Sequence, residues 1–197
     1  DMNLFPGKNT LLRTIATDVT GSLYLSGYAR NASNVRFWFT LKSTDDGATW
    51  SIQDVFMPSA NALIPYVIAT DSLGNVFVAG YYQDGAPHYH GVIRRSLNHG
   101  ATWTTALDYQ VAATTDTEIY YSLSVDQQGN LYTSPSGTDA GGLAHLIVLK
   151  SSDQGSTWQT IYDFTNGTYG AGANTIFTAL DSIGSLWVGG GYIDSGA

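Results

Sequence analysis

Two short motifs recur along this chain at one shared interval, and that interval constrains the fold more than any other feature. The first is Asp-x-x-Gly-x followed by an apolar run. It occurs at Asp18–Gly21, Asp71–Gly74, Asp126–Gly129 and Asp181–Gly184, with successive spacings of 53, 55 and 55 residues. The second is Ser-x-Asp/Asn-x-Gly-x-Thr-Trp, at Ser43–Trp50, Ser96–Trp103 and Ser151–Trp158, with the Trp positions 53 and 55 apart. Two independent motifs in one period define an internal repeat, and repeats of this length imply stacked or radial arrays of one supersecondary unit. The repeats fall at about 1–54, 55–108, 109–163 and 164–197, the last one shortened.

Each period predicts four strands, A to D. Strand A ends at the Asp, as in Tyr66–Thr70, and Asp-x-x-Gly makes a tight turn into strand B, as in Asn75–Tyr82. Asp suits such turns by bonding nearby amides, and Gly by accepting positive φ. His90–Arg95 and Leu146–Lys150 read as strand C, and the Ser…Trp motif turns C into D, as in Thr102–Asp108. No useful 3.6-residue apolar period appears, so no helix is predicted. Strands such as Leu146-Ile147-Val148-Leu149 are apolar on consecutive residues and must be covered on both faces. Blades of a β-propeller give that cover. The alternative, a stacked β-solenoid, usually has shorter repeats. Small residues two places before each turn Asp (Ala16, Ala69, Ser124, Ala179) put strand A innermost, where blades crowd.

The octets Ser43–Trp50, Ser96–Trp103 and Ser151–Trp158 resemble the Asp-box, or BNR repeat, and with their flanking strands the resemblance covers nearly the whole chain. It implies an all-β propeller of four-stranded antiparallel blades with Asp-box turns between strands C and D, about 3.5 blades here. Asp-boxes occur in sialidases, other glycoside hydrolases, sorting receptors and bacterial surface proteins, so the shared element is fold rather than function. The expected role of the box is structural. Asp45 and Asp153, and more weakly Asn98, accept hydrogen bonds from turn groups behind Ser43, Ser151 and Ser96. Gly47, Gly100 and Gly155 take positive φ, and Trp50, Trp103 and Trp158 brace adjacent blades. In the family these boxes lie on the face away from the active site.

Sialidases of this fold use three arginines, a Tyr/Glu pair and an Asp. None of Arg13, Arg30, Arg36, Arg94 and Arg95 sits in the Arg-Ile-Pro motif of those enzymes. Glu118 is the single Glu and has no Tyr at sialidase spacing. Arg95 aligns with Lys42 and Lys150 immediately before each box, and Asp54, Asp108 and Asp163 recur shortly after each Trp. No catalytic residue is assigned. His88 and His90 share a strand period but lack a third ligand, so no metal is assigned, and no cofactor is expected.

The variable B–C and D–A loops share the end opposite the boxes. They carry Tyr82, His88, Tyr89, Tyr109 and Tyr169, with Trp38 near the start of a strand C. Aromatic and small polar residues suit glycans or polar protein surfaces. Net charge is −8 with eight scattered Lys and Arg, which disfavours nucleic acid and anionic membranes as partners. No apolar run is long enough for membrane insertion as a helix. Absence of Cys fits the cytosol and fits bacterial export equally.

The expected function is therefore non-catalytic binding of a glycan or cell-surface partner, as in a bacterial adhesin or lectin-like protein outside the cell. Alternatives are a fragment of a sialidase-like glycoside hydrolase and a protein-interaction scaffold. Asp1 aligns with the end of a strand D, and Ala197 falls before a fourth box. The array is expected either to continue in a longer chain or to self-associate, two copies giving about seven blades.

Overall fold

The computed structural model describes residues 10–58, 62–84, 88–112, 117–118, 122–165 and 173–192. All regular structure in these residues is β. The first unit is β1 (Leu11–Thr17), β2 (Leu23–Arg30), β3 (Arg36–Ser43) and β4 (Ser51–Phe56). The second is β5 (Leu63–Thr70), β6 (Val76–Gln83), β7 (Tyr89–Ser96) and β8 (Thr104–Tyr109). Each is a four-stranded antiparallel meander in chain order, as the repeat predicts for strands A to D.

The third unit has the same plan in shorter pieces. It comprises β9 (Thr117–Glu118), β10 (Ser124–Val125), β11 (Leu131–Thr133), β12 (Ser136–Thr138), β13 (Ala144–Ser151) and β14 (Gln159–Thr165). Here strand B is split into β11 and β12, both paired with β13. Pro135 stands between the halves and has no N–H for the ladder, which accounts for the break. The loop after β12 is a further Asp-x-x-Gly turn: Asp139 accepts the amides of Gly141 and Leu143 at 2.9 and 2.8 Å. The fourth unit shows two strands, β15 (Ala173–Leu180) and β16 (Leu186–Tyr192).

Strands β1, β5, β10 and β15 contact one another in succession, so strand A is innermost. Hydroxyls tie these neighbours: Thr70 donates to the Thr17 carbonyl at 2.9 Å, and Ser124 to the Thr178 carbonyl at 2.9 Å.

The core sits in the seams between units. Side chains alternate faces along a strand. Val76 and Val78 accordingly join Tyr24, Trp38 and Val92 between units 1 and 2. Phe77 and Ala79, one residue on, join Ile93, Leu123 and Leu131 between units 2 and 3. This explains the consecutive apolar residues that the sequence shows. Each box Trp packs on the same face of its unit: Trp103 on the first cluster, Trp158 on the second, and Trp50 on Phe37, Phe39 and Leu41 of its own unit.

Candidate functional site

The boxes form as local turns with a shared geometry. In the first, Ser43 Oγ donates to Asp45 Oδ1 at 2.7 Å and accepts the Gly47 amide at 2.9 Å. Thr49 gives its amide to Oδ1 at 2.8 Å and its hydroxyl to Oδ2 at 2.6 Å. The third repeats this around Ser151, Asp153 and Thr157. In the second, Asn98 Oδ1 accepts the Thr102 amide at 2.8 Å, while Asn98 Nδ2 donates to the Thr102 hydroxyl at 2.9 Å. Gly47, Gly100 and Gly155 all take φ 85°. The residue before each of them, Asp46, His99 or Gln154, is also left-handed, which the motif did not reveal. Trp50 and Trp103 donate their indole N–H to their own box carbonyls, Gly47 and Gly100; only Trp158 reaches across, to the Ala106 carbonyl of unit 2 at 3.0 Å.

The Thr49 bonds, led by the hydroxyl, and then Ser43 hold the Asp45 carboxyl at about 2. The Thr157 amide and hydroxyl and then Ser151 do the same for Asp153. A carboxyl depressed in the folded state adds stability above its unfolded pKa and loses it as pH falls through the folded value. The window is pH about 4 down to about 2. Asp45→Asn should mimic the uncharged second box, so its thermal midpoint should fall less steeply across that window than the parent's. Parallel curves for the two proteins would contradict this role.

The opposite end of the units is built differently. Strand A carries a β-bulge at the same place in units 1 and 2, with Arg13 and Tyr66 as the inserted residues. Gly27 and Gly80 stand opposite on strand B, each six residues after its turn glycine. A Cβ at Gly27 would overlap the Leu11 carbonyl, and one at Gly80 the Ile64 carbonyl. Glycine thus permits the bulge, and the bulge re-aims one strand A side chain. Arg13 Cζ lies 5.1 Å over the Tyr66 ring. Tyr66 packs on Tyr81 at 5.8 Å, and Tyr81 meets Tyr89 edge-on at 5.1 Å. The result is a guanidinium and three phenol rings in a row on the innermost strand and its neighbours.

On the other face of the same sheet, with Tyr82 rather than Tyr81, His90 lies between two carboxylates. Its Nδ1 is 2.7 Å from Asp108 Oδ1, and its Nε2 is 3.4 Å from Asp84 Oδ2. Tyr82 stacks on the imidazole at 4.7 Å and donates to Asp108 Oδ2 at 2.7 Å. Burial and then Asp108 push the Tyr82 phenol well above its ordinary pKa. Unit 3 repeats the arrangement: His145 Nδ1 is 2.9 Å from Asp163 Oδ1, with Asp139 3.6 Å from Nε2.

Of the six residues predicted to meet a ligand, Tyr89 joins the aromatic row, and Tyr82 and the His88 amide, which donates to Asp84, join the His90 cluster. Tyr109 is half-buried, its phenol raised by burial and then by Asp163. Tyr169 lies outside the described residues. Trp38 is corrected: it has no exposed surface, donates to Ser26 Oγ at 2.6 Å, and meets Phe56 edge-on at 5.8 Å. It faces the seam because it alternates with Phe37 and Phe39, so it is core. Arg13, Tyr66 and Tyr81 were missed. Their signal was the glycine six residues after the turn Gly, which marks the bulge.

No protein-family model and no curated protein matches the sequence. Solved structures do match. An α-L-arabinofuranosidase from Fusarium graminearum aligns with a TM-score of 0.62 at 16% identity, over 87% of this chain and 53% of its own. An α-L-arabinanase from Penicillium chrysogenum aligns with a TM-score of 0.62 at 16% identity, over 91% and 56%. A sialidase from Trypanosoma rangeli aligns with a TM-score of 0.60 at 16% identity, over 92% and 34%. The fold is a partial sialidase-like β-propeller. The units are its blades, and this chain spans about half the length, or less, of these matched proteins. Within the propeller, the boxes mark one end and the Arg13 row marks the other.

Proposed function

We propose that this propeller binds a glycan, without turning it over, at the end opposite its boxes. The observation that carries the reading is the pair of bulge residues Arg13 and Tyr66, with Tyr89 and the buried Tyr81 packed behind them. Aromatic faces suit the apolar faces of sugar rings, and a guanidinium gives a forked donor to hydroxyls or a carboxylate. On the other face of the same blade, the Asp84–His90–Asp108 group offers further hydrogen-bonding partners for hydroxyls. The matched structures are those of an arabinofuranosidase, an arabinanase and a sialidase, which supports sugar as the ligand class. The reading extends to a bacterial cell-surface setting, as in the surface proteins whose repeats these resemble.

The same likenesses favour a second reading, a glycoside hydrolase whose catalytic groups lie elsewhere. Glycan-array binding followed by titration separates the two. Binding is expected, and Tyr66→Ala or Arg13→Ala should weaken it at least about tenfold, in line with losing one stacked or charged contact. The midpoint of unfolding should stay near the parent value for Arg13→Ala, since Arg13 is exposed. Release of fluorophore from arabinofuranoside or sialoside probes would replace the binding reading with the hydrolase one. Retained glycan affinity in both variants would remove the site.

A further inference from the structure

The B–C turns of blades 1, 2 and 3 open in the same way. Asn31, Asp84 and Asp139 stand 53 and 55 residues apart, on the period of the repeat. The backbone amide of each bonds the carbonyl four residues on, at Val35, His88 or Leu143, in every case at 2.9 Å. Its side-chain Oδ1 accepts the amide of that same residue, at 3.0, 3.0 and 2.8 Å. In blades 2 and 3 the second carboxylate oxygen faces a histidine six residues on. Asp84 Oδ2 lies 3.4 Å from His90 Nε2, and Asp139 Oδ2 lies 3.6 Å from His145 Nε2. In blade 1 the places of the histidine and of its strand D Asp hold Phe37 and Val55.

Each imidazole holds its two carboxylates unequally. Nδ1 is 2.7 Å from Asp108 in blade 2 and 2.9 Å from Asp163 in blade 3, while Nε2 stands further off in both. A neutral imidazole has one N–H, and the short contact assigns it to Nδ1. Nε2 then turns a lone pair toward the turn Asp, acceptor against acceptor, which explains the longer separation. The side chains of His90 and His145 are 16% and 15% exposed, and His145 Nε2 is buried without a hydrogen bond. Around His90 stand Tyr82 on β6, whose hydroxyl serves Asp108, with Leu63 of β5 opposite it and Phe56 of β4 edge-on to it. Arg94, further along β7, is committed to Asp54. Opposite His145 stands Gly137 of β12, and Tyr109 of β8 is near enough to Asp163 to feel its charge. Glu118 on β9 pairs with Ser136, one place off the His145 row.

We infer that Asp84–His90–Asp108 and Asp139–His145–Asp163 are proton-driven clasps that fasten the B–C turns of blades 2 and 3 to strand D. A proton on Nε2 turns the acceptor–acceptor contact into a charge-assisted hydrogen bond, and the imidazolium is then shared by both carboxylates. Histidine is the side chain that changes charge between about pH 8 and about pH 5. The clasps close on acidification through that range and loosen above it, with the carboxylates ionised throughout. Blade 1 keeps the turn through Asn31 and lacks the clasp, because Phe37 and Val55 cannot take a proton. The end opposite the boxes therefore stiffens in acid at blades 2 and 3 and not at blade 1, whatever that end binds.

Amide hydrogen exchange on the intact chain, corrected for the intrinsic rate at each pH, tests this. The Gly141 and Leu143 amides are both held by Asp139. Their protection should rise at least about fivefold from about pH 8 to about pH 5.5, as local opening becomes rarer. Protection of the Val35 amide in blade 1 should stay level. Asp139→Asn should flatten the blade 3 response. Its Oδ1 keeps the turn as Asn31 does, and its side-chain amide donates to Nε2 with no proton needed. Long-range nitrogen–proton spectra of His145 should show Nδ1–H alone at the upper pH and both nitrogens protonated at the lower. A level profile in the parent, an equal rise at Val35, or a response that survives Asp139→Asn would overturn the clasp. So would an Nε2–H tautomer at the upper pH.

Discussion

Arg94→Ala should lower the unfolding free energy by about 3–5 kcal/mol, the cost typical of removing one partner of a buried ion pair. Arg94, on β7 of blade 2, reaches into blade 1. Its Nε and Nη2 bond Asp54 Oδ2 and Oδ1 at 3.1 and 2.8 Å, a two-point fork. Both side chains are largely buried, 12% and 7% exposed. The guanidinium also covers Phe56 at 4.9 Å. Removing it strands the Asp54 carboxylate in a seam with little water. Asp54→Asn added to Arg94→Ala should recover part of the loss, because a neutral amide costs less to bury than an unpaired charge. Chemical denaturation of the two single variants and the double variant gives the coupling directly. Losses that simply add would mean the pair contributes no more than its separate parts.

The same residue shows where reading the sequence failed. Asp54, Asp108 and Asp163 look like one repeated position. In the structure they are not. Asp54 follows Trp50 by four residues, while Asp108 follows Trp103 and Asp163 follows Trp158 by five. Strand D is bulged in blades 1, 2 and 3, and Asp54 pairs with Thr40 whereas Asp108 pairs with Val92 and Asp163 with Ile147. The residue equivalent to Asp108 is Val55. A one-residue offset turns a strand side chain to the other face. Asp54 therefore meets Arg94, and the other two meet His90 and His145. Those histidines did repeat visibly, each eighteen residues ahead of its Asp. The period, the turns and the innermost strand were legible because each is fixed by a few local residues. The axial row was not, because a bulge is written only as a glycine on the neighbouring strand. Trp38 misled because position along a strand says nothing of face until the register is known.

Trp38→Ala should cost about 3–5 kcal/mol, the range for truncating a large buried aromatic. The ring is fully enclosed between blades 1 and 2, with Phe56 on one side and the Tyr24, Val76 and Val92 cluster around it. Its N–H satisfies Ser26 Oγ, which itself donates to the Phe39 carbonyl. Alanine leaves a void there and takes away that donor, and the seam cannot close because both walls are held by their own sheets. Trp38→Phe keeps most of the volume and should cost clearly less. Neither change touches the Arg13 row, so glycan affinity measured well below the unfolding midpoint should match the parent for Trp38→Phe. A variant that unfolds normally but loses its ligand would return Trp38 to the binding face and would require the blade 1 register to differ from the one seen here. The two outcomes separate what holds the blades together from what the blades present.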